Sequence, residues 1–174
     1  MTQDFLPFVP LSVRSDPDHA AAGAGTLIGI ARRLVSRAPM ELLAEVGIST
    51  EQGVFGDFRG KAKPDGRVTK RQVSLLRRED WAAAEALLGI AMPWTYRRAN
   101  LLVEGLDLPR MAGTILAIGD IRLRVSGECD PCRRMDEQQD GLWPALVPDW
   151  RGGYLTTVIA GGHARLGDQV RIET

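Results

Sequence analysis

Cysteine is scarce in this sequence, with two residues in 174. A small secreted domain held by disulfides needs several pairs, so that class of scaffold is excluded and a reducing compartment is expected. Long apolar runs are also missing. No stretch approaches the roughly 20 residues that cross a bilayer, and residues 1–10 have neither the basic nor the apolar part of a secretory signal. We therefore expect a cytoplasmic protein with no membrane contact.

Net charge is absent as well, because 22 Lys and Arg residues balance 22 Asp and Glu residues. Proteins that bind nucleic acid through its phosphates carry a surplus of basic side chains, so nucleic acid is not an expected partner. Of the basic residues, 19 are arginine, a bias that by itself carries no function. The hydrophobic fraction of 44% and the charged fraction of 25% are those of one globular domain with a substantial core.

Strand patterns dominate the chain. Residues 1–24 contain three prolines and no periodic pattern, so they are predicted to form a flexible N-terminal arm before a domain over 25–174. One helix is predicted at 79–88, a short helical turn at 39–43 and a long glycine-rich loop at 51–68. Strands are predicted at 27–31, 71–76, 99–103, 114–118, 121–125, 154–160 and 169–172.

The hairpin over 114–125 is the clearest of these patterns. Gly119 and Asp120 suit a two-residue type II′ turn, and the apolar residues Ile121, Leu123 and Val125 alternate with arginines, so one face is buried. Short strands with glycine turns, one good helix and no regular strand-helix alternation argue against a parallel α/β sheet. The sequence therefore predicts a mainly β fold, a barrel or closed sandwich with a few short helices.

Both cysteines lie in one segment that directly follows the best-defined strand. Between Cys129 and Cys132, Asp130 is a good helix N-cap and Pro131 a good first helical residue. These residues predict a short helix running to about 138, with Cys132 at its second position. A helix N-terminus and the two arginines that follow favour an ionised thiol, so Cys132 is predicted as a catalytic thiolate or a soft-metal ligand.

Three chemistries compete for this cysteine pair. A structural zinc site needs four ligands, and the chain offers only His19 and His163 besides the two cysteines. A redox dithiol is the second option, but the known C-x-x-C dithiols of that kind belong to a βαβ context that is absent around residue 129. The third is a single thiolate that binds a transition metal or carries sulfur, with Cys129 as bystander or resolving thiol.

Ten short motifs stand in order between residues 26 and 173. They are 53–57 (GVFGD), 71–75 (RQVSL), 98–100 (RAN), 103–105 (VEG), Gly113, 118–119 (IG), 131–132 (PC), 151–153 (RGG), 161–162 (GG) and 166–170 (LGDQV). In this order and spacing the sequence resembles the MOSC domain, the family named for the C-terminal domain of molybdenum cofactor sulfurase. It is most similar to the small stand-alone bacterial type.

The resemblance implies a MOSC-type β-barrel whose key cysteine is Cys132. Members of the family are thought to bind the molybdenum cofactor (molybdopterin) with this cysteine as metal ligand, or to carry sulfur on it as a persulfide. Some stand-alone members reduce N-hydroxylated compounds. The resemblance also implies one shared cleft, in which arginines and a glycine turn would hold the cofactor phosphate. Its cofactor-binding residues would be Asp57, Arg71, Arg98, Asn100, Arg151, Gly152 and Gly153.

This sequence departs from bacterial members after Asp57, where Phe58 and Arg59 stand in place of a frequent histidine. It also lacks the N-terminal β-barrel segment and the ferredoxin-like tail of larger relatives, so a separate redox partner protein is expected to supply electrons. A persulfide would instead come from a cysteine desulfurase. Pyridoxal phosphate binding belongs to the family as a whole and is assigned to no residue here. A third hypothesis is a plain interaction module whose cysteines are incidental.

Overall fold

A computed structural model describes residues 23–173. The strands are β1 (Ala24–Arg32), β2 (Glu41–Leu42), β3 (Glu45–Ser49), β4 (Gly53–Val54), β5 (Val73–Arg77), β6 (Leu101–Glu104), β7 (Ile115–Ile118), β8 (Ile121–Glu128), β9 (Tyr154–Ala160), β10 (Gly162–Arg165) and β11 (Gln169–Glu173). The α-helices are α1 (Arg78–Leu88) and α2 (Leu142–Leu146). Short 3₁₀ helices span Trp94–Arg97, Arg133–Glu137 and Pro148–Trp150.

Seven of these strands close into a barrel in the order β11-β7-β8-β9-β5-β6-β1, with β1 pairing back onto β11. Their pairs are antiparallel except β5 with β6, which are parallel and are connected through α1. A parallel pair needs such a crossover, whereas two residues suffice for the β7–β8 hairpin, where Gly119 takes φ of 54°. Closure leaves the barrel without a free edge.

Two apolar clusters hold the fold together. The first fills the barrel, with inward side chains of every barrel strand such as Leu27, Leu75 and Leu123. The second joins α1, α2 and the 3₁₀ helix Arg133–Glu137, and its buried members include Trp81 and Met135. The segment that carries Cys132 therefore packs through Met135 onto the helical side of the barrel.

The prediction of a mainly β barrel with few short helices is confirmed. The predicted helix at 79–88 corresponds to α1, which ends where Gly89 takes φ of 69° and donates its N–H to the Glu85 carbonyl. The predicted helical turn at 39–43 is wrong. Residues Glu41–Leu42 form strand β2 instead, because they pair with the end of β1 and the Leu43 N–H donates to the Ile30 carbonyl at 2.9 Å.

The loop predicted at 51–68 contains the two-residue strand β4, which extends a small sheet of order β10-β3-β4. The predicted arm at 1–24 lies outside the described residues, except that Gly23 and Ala24 are described and Ala24 begins β1. Neither α-helix within 23–173 has the length and apolar character that a membrane span requires.

Candidate functional site

Cys129 and Cys132 differ sharply in exposure. The first is buried, with 3% of its surface accessible, whereas the second is exposed. The prediction of a helix with Cys132 at its second position is wrong. A 3₁₀ helix begins one residue later, at Arg133, so Cys132 is its N-cap and has extended backbone angles. Pro131 is held in the stretch that leads to it, outside the helix. Cys132 is thus exposed and precedes a 3₁₀ helix, and it does not occupy the first turn of an α-helix.

The backbone before Cys132 is fixed by a buried arginine. Arg97, 4% exposed, donates from Nε to the Gly152 carbonyl at 2.5 Å. Its Nη2 donates to the Cys129 carbonyl at 2.6 Å and lies 3.0 Å from the Cys129 sulfur. One guanidinium thus joins the end of β8 to the turn that precedes β9.

Gly152 and Gly153 pack directly against the same segment. A Cβ atom on Gly152 would lie 2.5 Å from the Cys129 carbonyl oxygen and 2.9 Å from Pro131 Cδ. Gly153 has φ of 98° and accepts the Cys129 N–H at 2.8 Å. Both glycines are needed for close backbone approach, which is a structural reason for the RGG motif next to the cysteine segment.

Five arginines are coupled through their charges, and one of them, Arg134, lies next to this segment. They are Arg33, Arg59, Arg71, Arg98 and Arg134, called the arginine cluster below. Burial and the positive charges of Arg98, Arg59 and Arg71 lower the pKa of Arg33 to about 10. Burial likewise lowers the pKa of Arg98, and the positive charge of Arg134 adds most to this effect. Because Arg134 is two residues after Cys132, the cluster reaches the cysteine segment.

Arg33 is the most enclosed member of the arginine cluster, with 8% of its surface exposed. Its Nε atom is buried and has no hydrogen-bond partner among residues 23–173. Arg98 takes φ of 61°, which is uncommon for a residue with a side chain, and donates from Nη2 to the Ala38 carbonyl at 2.7 Å. The cluster thus holds an unused buried donor among positive charges, which is an environment for an anion.

Asp57 is the acidic residue whose charge partly offsets the lowering of the pKa of Arg33 and of Arg98. Its carboxylate is buried and accepts the backbone N–H groups of Arg33 and Arg59, each at 2.9 Å. Asp57 therefore joins the end of β1 to the loop at 55–60 and positions two members of the arginine cluster.

Asn100 is buried and makes its hydrogen bonds within the protein. Its Oδ1 accepts the N–H and the hydroxyl of Ser74, each at 3.0 Å, and its Nδ2 donates to the Ala31 carbonyl at 3.2 Å. These contacts connect β1, β5 and the start of β6. The side chain predicted to bind the cofactor thus holds three strand segments together through hydrogen bonds within the protein.

Arg71 and Arg151 have different surroundings. Arg71 belongs to the arginine cluster, since its charge acts on both Arg33 and Arg98. Arg151 points instead to the helical side, where Nη1 lies 3.5 Å from the Ala145 carbonyl and Nη2 lies 3.9 Å from the Asp149 carboxylate. The structure therefore brings Asp57, Arg71 and Arg98 together and leaves the Arg151 side chain apart from them.

Sequence reasoning missed Arg33 and Arg97 as site residues, and it used Arg134 only as a positive charge that favours the Cys132 thiolate. Each belongs to an Arg-Arg pair: 32–33 at the end of β1, 97–98 at the end of a 3₁₀ helix, and 133–134 next to Cys132. Such pairs at element ends are a usable signal, because one member can turn inward while the other faces solvent. The burial of Arg33 and Arg97 beside half-exposed partners is an example.

No three His, Cys, Asp or Glu side chains between residues 23 and 173 gather as a metal-ligand set. His163 pairs with Glu45 at 3.3 Å on the surface, and His19 lies outside the described residues. A surface cavity of about 410 Å³ lies elsewhere and includes none of the predicted site residues. Its lining is Gly119, Asp120, His163, Arg165, Asp168, Gln169 and Arg171.

Comparison with known proteins gives one family and several similar folds. A model of the MOSC domain family matches residues 51–171. Among solved structures, YuaD from Bacillus subtilis has a TM-score of 0.71 at 20% identity, covering 86% of this chain and 95% of that one. YiiM from Geobacillus stearothermophilus has a TM-score of 0.62 at 17% identity, covering 86% and 73%. YiiM from Escherichia coli has 0.58 at 17%, covering 84% and 69%. No curated protein sequence matches the chain.

Proposed function

The chain belongs to the MOSC domain family, and from this premise we propose that it binds the molybdenum cofactor with the Cys132 thiolate as a ligand of the metal. Cys132 is exposed, adjoins the arginine cluster through Arg134, and stands at the family's PC motif. Thiolates are the soft ligands that such metals prefer. A single protein thiolate suits a metal whose other ligands come with the cofactor.

The observation that carries the proposal is the unpartnered Nε of Arg33 within the arginine cluster. A buried guanidinium Nε without a hydrogen-bond partner costs free energy, and like charges around it add to that cost. A phosphate group would accept from this donor and offset the repulsion. The residues present therefore fit a cofactor that carries a phosphate, with Arg33, Arg98 and Arg71 as its holders.

In this proposal the cofactor, when bound, supplies the redox chemistry, and the chain supplies binding and orientation. The arginine cluster holds the phosphate end and Cys132 holds the metal end. N-hydroxylated compounds are the substrate class to test, with cleavage of the N–O bond by two electrons and two protons to give an amine and water. The electrons come from a separate redox partner protein.

The first experiment measures metal and cofactor together. Wild type, Cys132→Ser and Cys129→Ser are expressed in cells that make the cofactor. Molybdenum is then measured by plasma mass spectrometry, and pterin fluorescence is read on the denatured extract. We expect near-stoichiometric molybdenum and pterin in wild type and loss in Cys132→Ser. A metal-free wild type beside a loaded control protein from the same cells would overturn the proposal.

The arginine cluster has its own test, which needs no cofactor. Inorganic phosphate is expected to raise the melting temperature of wild type, because a ligand that binds the folded state stabilises it. Arg98→Gln and Arg71→Gln should reduce this increase. Arg124→Gln is the matched control, since Arg124 is exposed on β8. An equal increase in all four proteins would mean that phosphate does not bind at the cluster.

The exposure of Cys132 favours one alternative, a sulfur carrier. A cysteine desulfurase would transfer the outer sulfur of its own persulfide to the Cys132 thiolate, and the desulfurase cysteine would leave as a thiolate. Incubation with a desulfurase and cysteine should then add the mass of one sulfur atom to Cys132. No such adduct under an excess of donor would exclude this alternative.

A further inference from the structure

Trp143, on α2, contacts the residues on both sides of Cys132. Its indole Nε1 donates to the Pro131 carbonyl at 3.1 Å. The guanidinium carbon of Arg133 lies 4.7 Å from the centroid of the same indole ring, in a cation–π arrangement. We propose that Trp143 is a positioning residue for Cys132: it fixes the residue before and the residue after the thiol, without contact to the thiol itself.

The cysteine segment depends on such a support because it lies outside the regular elements. From Cys129 to Cys132 the chain has left β8 and has not entered the 3₁₀ helix. The Arg97 guanidinium holds its beginning through Cys129. At its other end the Cys132 carbonyl accepts the Met135 N–H at 2.9 Å. The bond from Trp143 to Pro131 fastens the stretch between these two points.

Trp143 is itself well placed to hold another segment. Its backbone N–H donates to Asp136 Oδ1 at 2.8 Å, so Trp143 donates one hydrogen bond to the 3₁₀ helix and a second, from the indole, to Pro131 before that helix. Its ring packs against the second apolar cluster, which includes Met135 and Trp81. The indole is therefore held against the helical side of the barrel, and its hydrogen bond to Pro131 fixes the Cys132 segment relative to that side.

That the positioned thiol binds a metal rests on the proposed function. That Trp143 positions Cys132 does not. Two variants separate the contacts. Trp143→Phe keeps a ring under Arg133 and removes the indole donor, whereas Trp143→Leu removes both. Trp150→Phe is the matched control, because the Trp150 ring packs on Tyr154 at a centroid distance of 5.4 Å and makes no hydrogen bond to the cysteine segment among the described residues.

The primary measurement attaches a nitroxide to Cys132 and records its mobility by electron paramagnetic resonance. Buried Cys129 is expected to stay unlabelled, which mass spectrometry checks. We expect Trp143→Phe to increase the ratio of the mobile to the immobile spectral component roughly two- to tenfold, the range set by the net free energy of the one hydrogen bond that holds the segment in place. Trp143→Leu should increase it further and Trp150→Phe should leave it unchanged. Unchanged mobility in both folded Trp143 variants, whatever their melting temperatures, would overturn the proposal.

A second measurement links position to binding. If wild type retains molybdenum, Trp143→Phe should retain roughly two- to tenfold less per folded molecule, again from the loss of one hydrogen bond. A Trp143 that merely stabilises α2 would lower the melting temperature and leave both label mobility and retention per folded molecule unchanged. A wild type without molybdenum would overturn the proposed function, and the nitroxide measurement would still decide the role of Trp143.

Discussion

The Arg97 guanidinium donates to both the carbonyl oxygen and the sulfur of Cys129, at 2.6 and 3.0 Å. The same side chain donates to the Gly152 carbonyl at 2.5 Å. No ion pair with a carboxylate found within residues 23–173 includes Arg97, so two backbone carbonyls and a sulfur atom are the acceptors of this buried cation. A planar guanidinium suits this arrangement because its donors are fixed in a fork that can reach several acceptors at once.

Replacement of Arg97 by methionine should destabilise the protein. Methionine fills much of the volume but leaves two buried carbonyl groups without their donor, at a cost of about 1–3 kcal/mol each. We expect the free energy of unfolding to fall by roughly 2–5 kcal/mol, measured by urea denaturation. Arg97→Lys should lose less, because one ammonium can still reach part of the acceptor set. Arg124→Met, at an exposed site, is the control. A loss below about 1 kcal/mol in Arg97→Met would contradict this account.

The barrel could be predicted because the sequence patterns that indicate its elements lie within short windows of the chain. The β7–β8 hairpin alternates over neighbouring residues, and α1 presents an apolar face and a glycine stop within one short window. Strands β3 and β10 were missed because they pair with each other across more than 100 residues of chain. Helix α2 has five residues with a proline among them, which is too short to show a helical period.

Asn100 should prove more important for folding than Ser74. Asn100→Ala removes both its acceptor for Ser74 and its donor to the Ala31 carbonyl, whereas Ser74→Ala leaves the Asn100 bonds to the Ser74 N–H and to Ala31 in place. We expect losses of roughly 2–4 kcal/mol for Asn100→Ala and about 1 kcal/mol for Ser74→Ala in chemical denaturation. A stable Asn100→Ala protein that fails to bind cofactor would instead assign Asn100 to the cofactor.

Gly153 and Gly167 offer a matched pair, since their φ angles are 98° and 92°. An alanine carries the same backbone strain at both positions, about 1 kcal/mol. At Gly153 the new Cβ would also collide with the Leu75 carbonyl oxygen, whereas at Gly167 nothing lies within 4 Å. Gly153→Ala should therefore lower the free energy of unfolding by at least about 1 kcal/mol more than Gly167→Ala. Equal losses would show that the backbone of β5 shifts freely.

The arginine cluster shows where sequence reasoning reached its limit. Cys132 could be singled out because its neighbours in sequence are unusual. The cluster draws side chains from five separate places, and only the closed barrel brings them together. Arg151 illustrates the converse: it stands beside Gly152 in the chain, yet its guanidinium faces α2 and Asp149.

Asp80 provides a prediction about pH. This carboxyl group is buried near the start of α1, and its Oδ2 has no hydrogen-bond partner among residues 23–173. Burial raises its pKa from the ordinary value of 3.8, against the opposing charges of Arg77, Arg110 and Arg151 and with a small addition from Glu79. The closest of these, Arg77 Nη1, is 3.9 Å from Oδ1, which is too long for a strong charge-assisted bond.

A raised pKa in the folded state means that the folded protein holds this proton more tightly than the unfolded chain does. The contribution of the carboxyl group to stability is then complete below pH 3.8, and it is lost as the pH rises through the higher folded-state pKa. Asp80→Asn has no such titration. The free energy of unfolding of Asp80→Asn relative to wild type should therefore increase between about pH 4 and neutral pH and then level off. Urea denaturation across this range measures it, with the exposed Asp107→Asn as control. A difference that stays flat or decreases with pH would mean that the three arginines outweigh burial at Asp80.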